Sequence, residues 1–330
     1  MSSFMQRIAQ GSEFNASRYW RLLFLCGAMA IIVLASSSGR ALSAAEQRSF
    51  PSPQQAVSAL VEAIENNDDT ELLSIFGPAS EEIISSGDKV ADQKGKARFL
   101  KAYKEKNSLE QENEGLMRLL IGGKDYPFPI PIVRQGGVWF FDTQAGLEEI
   151  LNRRIGRNEL HTIEVMHAYV DAQREYACMM RDNGIPTFAQ KLSSSEGKQD
   201  GLYWKTAEGE VESPFGPLVA MASKKGYATG LNEDAPVPFR GYYFKILKAQ
   251  GEQANGGAFD YVVDGKMVLG FALVAYPAKY GASGIMTFIV NQEDQVYEKD
   301  LGEETARIAE EMAAFDPDDT WEKYIESVVP

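Results

Sequence analysis

Apolar positions along this chain fall into runs, helical stripes and alternations. Residues 22–35 (LLFLCGAMAIIVLA) form an unbroken apolar-and-small run of 14. That is the length of a signal h-region and short of the ~20 residues of a membrane span. Residues 54–66 carry Ala56, Val57, Leu60, Ala63 and Ile64 at helical intervals, which predicts one buried stripe. Asp69 or Thr70 is the expected cap of a second, short helix bearing Leu72, Leu73, Ile75 and Phe76, ended by Gly77-Pro78. Ile83 and Ile84 suggest another helical turn. Residues 98–107 alternate charge with Phe99, Leu100 and Tyr103, as an amphipathic helix does.

Strand patterns follow. Residues 116–121 (LMRLLI) read as a strand, 122–125 as a turn and 130–134 as an extended segment. Pro127, Pro129 and Pro131 confine that stretch to a sheet edge, since proline lacks the amide hydrogen a ladder needs. Gln135-Gly136-Gly137 turns the chain into the aromatic strand 138–141 (VWFF).

From 146 to about 180, apolar positions recur three to five apart and predict a long helix, with Gly156 expected to kink or break it and Asn158 to restart it. Asn183-Gly184 is expected to stop this helix, ahead of a polar loop at 193–201 and a second loop region from Pro214 to Pro238. Residues 241–249 and 258–263 read as strands. Asp264-Gly265 is the dipeptide of a two-residue hairpin turn. Residues 267–276 are nearly all apolar, as a central strand buried on both faces would be, and Pro277 closes them. Residues 285–290 and 296–301 form a last hairpin. A helix over 303–315 follows, with Ile308, Met312 and Phe315 facing inward.

The fold class implied is α+β. N-terminal helices with a curved antiparallel sheet come first, then a long helix packed on a four- to five-stranded antiparallel meander. The organisation expected is a signal peptide at 1–45, an α+β cone-like domain at 46–145, and a helix-plus-sheet domain at 146–330. At 330 residues, 44% hydrophobic and 24% charged, the chain has the composition of a globular protein.

Charge sharpens the picture. Arg7, Arg18 and Arg21 precede the apolar run, and Ser43 and Ala45 suit a signal peptidase that cuts between Ala45 and Glu46. The alternative is an uncleaved inner-membrane anchor; in both readings the body of the protein lies in the periplasm or is secreted. Residues 1–45 hold four arginines and one glutamate, so the remainder carries 29 basic and 46 acidic residues, a balance of −17. Such a surface repels nucleic acid and anionic headgroups, and no membrane span is expected beyond the leader. Cys26 follows Leu25 rather than the small residue a lipidated cysteine needs. Cys178 is then the only cysteine of the mature part, so no disulfide framework holds it, and Cys178 is expected to be buried as a small apolar residue.

Two stretches resemble known folds. Helices followed by a hairpin ending "GGVWFFD" resemble nuclear transport factor 2-like domains, some of which are enzymes and others binding modules. The helix, polar loop and "GYYFKI…FALVAYPAKYGASGIMTFIVNQEDQVYEKD" resemble the globular head of type IV pilin-like proteins, although a whole domain separates this helix from the leader. Over its full length the chain resembles the exported bacterial family catalogued as domain of unknown function 2950. That likeness rests on "NRRIGRNEL" (152–160), "DAQREYA" (171–177), "GYYFKILKAQG" (241–251) and "FALVAYPAKYGASGIMTFIVNQ" (271–292). It implies export and carries no activity.

Candidate chemistry is sparse. His161 and His167 stand about 120° apart around a helix, with Glu164 between them, whereas a helical zinc pair needs positions i and i+4. Ser283 sits in Gly-Ala-Ser-Gly, which lacks the glycine spacing of a nucleophile elbow. No phosphate-cradling glycine motif occurs. Asp316, Asp318 and Thr320 alternate as in a calcium loop, but Trp321 and Ser327 replace the glycine and bidentate glutamate such a loop needs. Arg153, Arg154, Arg157 and Arg174 are available to an anion or to neighbouring acids. Tyr126, Phe128, Trp139, Phe140, Tyr242 and Tyr243 would line a sugar groove or a core. No catalytic, metal-binding or cofactor-binding residue is assigned. The leading expectation is a non-enzymatic envelope protein that binds a partner protein or small ligand. The alternatives are a carboxylate-based hydrolase of envelope polymers, with two acids roughly 5–10 Å apart, and an accessory component of a pilus or secretion machine.

Overall fold

A computed structural model of the chain describes residues 47–206, 210–224 and 237–325. The apolar run and the Ala45/Glu46 cut lie outside the described residues. Ser52 accepts a hydrogen bond from the Gln55 amide and Pro53 opens helix α1 (Pro53–Glu65), whose expected stripe is buried. Asp68, one position before the expected cap, accepts from the Glu71 amide and starts α2 (Asp69–Phe76). The short α3 (Glu81–Ile84) follows. Asp88 caps α4 (Lys89–Glu105), which begins well ahead of residue 98. Its first half is charged and none of its residues is fully buried, so a helical stripe is hard to see in the sequence there.

The first sheet is antiparallel. Strands β1 (Asn107–Asn113), β2 (Leu116–Ile121), β4 (Ile132–Gln135) and β5 (Val138–Phe141) lie in that order, with β3 (Tyr126–Pro127) on the edge of β2. Strands β2 and β5 have the bounds their apolar runs predict. Strand β1 (NSLEQEN) has no such run: it is a polar, mostly exposed edge held by its ladder to β2. Leu60, Ile75, Leu119, Ile132 and Phe141 centre the first core.

Helix α5 (Thr143–Met179) is continuous for 37 residues, so the expected break at Gly156 does not occur. One glycine costs a helix only ~1 kcal/mol relative to alanine, and packing on both sides of it outweighs that. Asn158 does not restart a helix. It is buried, and its side-chain amide donates to the Ser283 carbonyl at 2.8 Å. Near the start of α5, Ile150 packs on the first core; further along, Ile163, Met166, Tyr169 and Val170 belong to a second.

Asn183-Gly184 does more than stop the helix. With φ of 49° and 85° it forms the turn between β6 (Arg181–Asp182) and β7 (Ile185–Pro186), because two left-handed residues give the twist a tight hairpin requires. Asp264-Gly265, at 51° and 77°, turns the expected hairpin between β11 (Val262–Val263) and β12 (Lys266–Met267). Within the second loop region, Gly216–Lys224 is a helix, α6, where the apolar LVAMA outweighs the Gly-Pro start; Val219 is buried.

The main sheet orders β17 (Glu322–Lys323), β15 (Tyr297–Asp300), β14 (Met286–Asn291), β13 (Ala272–Pro277) and β8 (Tyr242–Leu247), all antiparallel. Every residue of β13 is buried, since α5 and α7 (Thr305–Glu311) both pack on it. The expected central strand is real but begins at 272, not 267: the amides of Val268 and Leu269 both turn to the Tyr261 carbonyl and leave the ladder. The strand expected at 258–263 splits at the buried Tyr261, and β10 (Phe259–Asp260) pairs with β9 (Ala249–Gln250) instead. The helix expected to 315 ends at 311. Thr305 and Ala309 are its buried residues, and Phe315 is buried in β16 (Ala314–Phe315), parallel to β9. Among the described residues, no helix is long and apolar enough to cross a membrane.

Candidate functional site

Helices α1, α2, α3, α4 and α5 and the segment 128–130 surround a cleft of about 310 Å³. Its floor is apolar. Leu60 and Ile64 come from α1, Phe76 from α2 and Phe99 from α4, while Phe128 follows the proline-marked edge. The rings of Phe99 and Phe128 meet edge-on at 5.4 Å, and Phe76 lies 6.5 Å from Phe128. The cleft exists because α4 is only partly buried: Phe99, Leu100 and Tyr103 touch the core without closing over it.

The walls are cationic. Lys96, Arg98, Arg153, Arg154 and Arg157 line the cleft, against the single carboxylate of Asp92. Three of these cations are engaged. Lys96 pairs with Asp69 and Arg153 with Glu149. Arg154 donates to the Glu82 and Ile83 carbonyls, each at 2.6 Å, at the C-terminal end of α3; burial lowers its pKa, and the nearby Asp92 opposes that. Asp92 accepts from the amide and hydroxyl of Ser86 at 3.0 and 2.7 Å. Burial still raises its pKa above the ordinary value. Arg98 and Arg157 are exposed and meet no carboxylate among the described residues. Desolvation, then the charges of Arg98 and Arg153, lower the Arg157 pKa.

A family model described as "Protein of unknown function (DUF2950)" matches residues 47–324. The chain belongs to the DUF2950 family. No curated protein and no solved structure matches it at a significant level.

In this DUF2950 chain most of the residues that drew attention in the sequence serve the fold. His167 Nδ1 lies 2.6 Å from Asp294 Oδ1. His161 and Glu164 make other contacts, and among the described residues no group of three His, Cys, Asp or Glu is placed to hold a metal. Ser283 is buried, and its hydroxyl accepts from the Lys279 amide and donates to the Lys279 carbonyl. Asp316 accepts from the Gln253 amide at 2.8 Å, and Asp318 from Thr320. Arg174 donates to the Gln292 carbonyl. Of the aromatics, Phe128 alone reaches the cleft; Tyr242 is buried and Tyr126 is exposed. Cys178 is exposed, which corrects the expectation of burial: Ala177, its neighbour, takes the inward position on α5.

The structure adds a half-buried acid the sequence did not single out. Glu159 Oε1 accepts from the amides of Ile285 and Met286 at 2.9 and 3.1 Å. Burial raises its pKa despite these bonds. Glu298 is raised as well, by burial and then by Glu159 and Glu322. Arg98 and Asp92 of the cleft were also silent in the sequence. The one available signal was the polar, lysine-rich α4, with 92, 95, 96 and 99 at helical spacing.

Proposed function

We propose that this protein is exported by its N-terminal apolar segment, is cut between Ala45 and Glu46, and works in the envelope as a non-enzymatic binding protein. Its ligand site is the cleft under α4. The observation that carries this reading is the lining: an aromatic and aliphatic floor with a few polar groups at one side, the usual make-up of a small-molecule pocket. The one carboxylate there, Asp92, is held by Ser86, whereas acid-catalysed polymer hydrolysis calls for two acids facing a groove.

Gly95 offers a direct test. It lines the cleft from within α4, and a Cβ added there would meet nothing closer than an Arg98 nitrogen at 3.9 Å. Gly95→Leu therefore fills the cleft while adding a better helix former. The neutral dye N-phenyl-1-naphthylamine should brighten saturably with the parent protein and not with Gly95→Leu, whose melting temperature should be equal or higher. Equal dye binding by the two proteins would remove the cleft from consideration. Mass spectrometry of the exported protein should find Glu46 at its start.

A further inference from the structure

We infer that the ligand of this cleft is a single-chain amphiphile with an anionic head, carboxylate or phosphate, whose tail lies on Phe76, Phe99 and Phe128 and whose head is met by Arg98 and Arg157. The inference rests on the cleft being the binding site, and adds the chemistry of what enters it.

The whole chain carries a formal charge of −14, yet five cations and one carboxylate line this cleft. An acidic protein that gathers cations around an apolar hollow makes it a favourable place for an anion with a greasy body. Solubility alone explains the acidic surface and gives no reason for this local reversal.

The second step separates cations the fold uses from those it does not. Lys96 and Arg153 have carboxylate partners, and Arg154 is spent on two carbonyls of α3. Arg98 and Arg157 have neither, among the described residues. Both line the same cleft, and the Arg98 charge is one cause of the lowered Arg157 pKa. An anion bound beside the apolar floor relieves that repulsion. The planar fork of arginine suits the two oxygens of a carboxylate.

The lining sets five cations against the one carboxylate of Asp92, so it favours an anionic head, carboxylate or phosphate. Size favours one chain over two. A cleft of about 310 Å³ lies at the lower end of the ~300–1,000 Å³ range of small-molecule pockets.

The test is a calorimetric titration of the exported protein with decanoate, decanol, decyl phosphate and decyltrimethylammonium, repeated with Arg98→Gln/Arg157→Gln. Circular dichroism confirms that the exposed double variant is folded. Decanoate should bind about tenfold more tightly than decanol, which corresponds to about 1.4 kcal/mol, and salt should weaken the anionic probes while leaving decanol unaffected. The double variant should lose that preference and keep its affinity for decanol. Decanol binding as well as both anions, or an unchanged preference in the double variant, overturns the anionic head while leaving the cleft as a binding site. Tighter binding of the ammonium than of either anion overturns it likewise, and the ranking of decanoate against decyl phosphate tells the two heads apart. Failure of all four probes, together with failure of the neutral dye, overturns both readings.

Discussion

The carboxylate of Asp88 accepts a hydrogen bond from the backbone amide of Gly241 at 2.8 Å, across 153 residues of chain. Its other oxygen accepts from the Ala91 amide at 2.9 Å. Asp88 is 1% exposed. One buried side chain thus caps α4, the wall of the cleft, and anchors the entry to β8 in the main sheet.

Asp88→Ala should lower stability by roughly 2–4 kcal/mol, since it removes a helix cap and strands a buried amide. Asp88→Asn keeps an acceptor and should cost less. Urea unfolding of the three proteins checks both, and equal midpoints would show that the contact contributes nothing.

Gly146 lies where α5 crosses the segment before β4. A Cβ there would stand 2.8 Å from Ile130 Cα and 2.9 Å from its backbone nitrogen. Gly146→Ala gains helix propensity, but backbone cannot step aside as a flexible side chain can. We expect a net loss of about 1–3 kcal/mol, read as a lowered melting temperature.

Gln173 is fully buried and bridges α5 to Ala189. Its nitrogen donates to the Ala189 carbonyl and its oxygen accepts from the Ala189 amide, each at 2.8 Å. The same nitrogen donates to the Tyr169 hydroxyl at 3.0 Å. Gln173→Leu preserves volume and leaves both Ala189 groups without their partner, at a cost of roughly 2–5 kcal/mol. Faster amide exchange at Ala189 would accompany the loss.

Glu159 makes stability depend on pH. Its folded pKa is raised by burial, so the folded state binds the proton more strongly than the unfolded state does. Stability is therefore greatest below the unfolded glutamate pKa and falls as pH rises from there through the folded value. Tyr242, Asp300 and Glu298 face the same group. Glu159→Gln cannot ionise and also relieves Glu298 of a neighbouring charge. Its unfolding midpoint should decline less than the parent's between pH 4 and pH 8, and parallel declines would show that Glu159 is not responsible.

Much of the fold was legible where burial repeats with a simple period. The stripe of α1, the runs of β2 and β5, and the Asp264-Gly265 turn each report a local preference that tertiary packing reinforces. Legibility failed where the local signal and the packing differ. Strand β1 is polar because it is an edge, the charged half of α4 has no buried face, and Gly156 sits in a helix whose packing outweighs it.

The candidate site was less legible than the fold. Arg153, Arg154 and Arg157 drew attention as a group, yet their sequence spacing does not separate the pair with Glu149, the bonds to α3 carbonyls and the guanidinium that lines the cleft with Arg98. Sequence by itself determined the elements with a simple apolar period, the α+β class, the acidic balance and the family, because these depend on residue type and short-range order. Tertiary structure decided which cations meet no carboxylate among the described residues and that an apolar hollow opens beside them. Both depend on distances between side chains far apart in the chain, which no local pattern records.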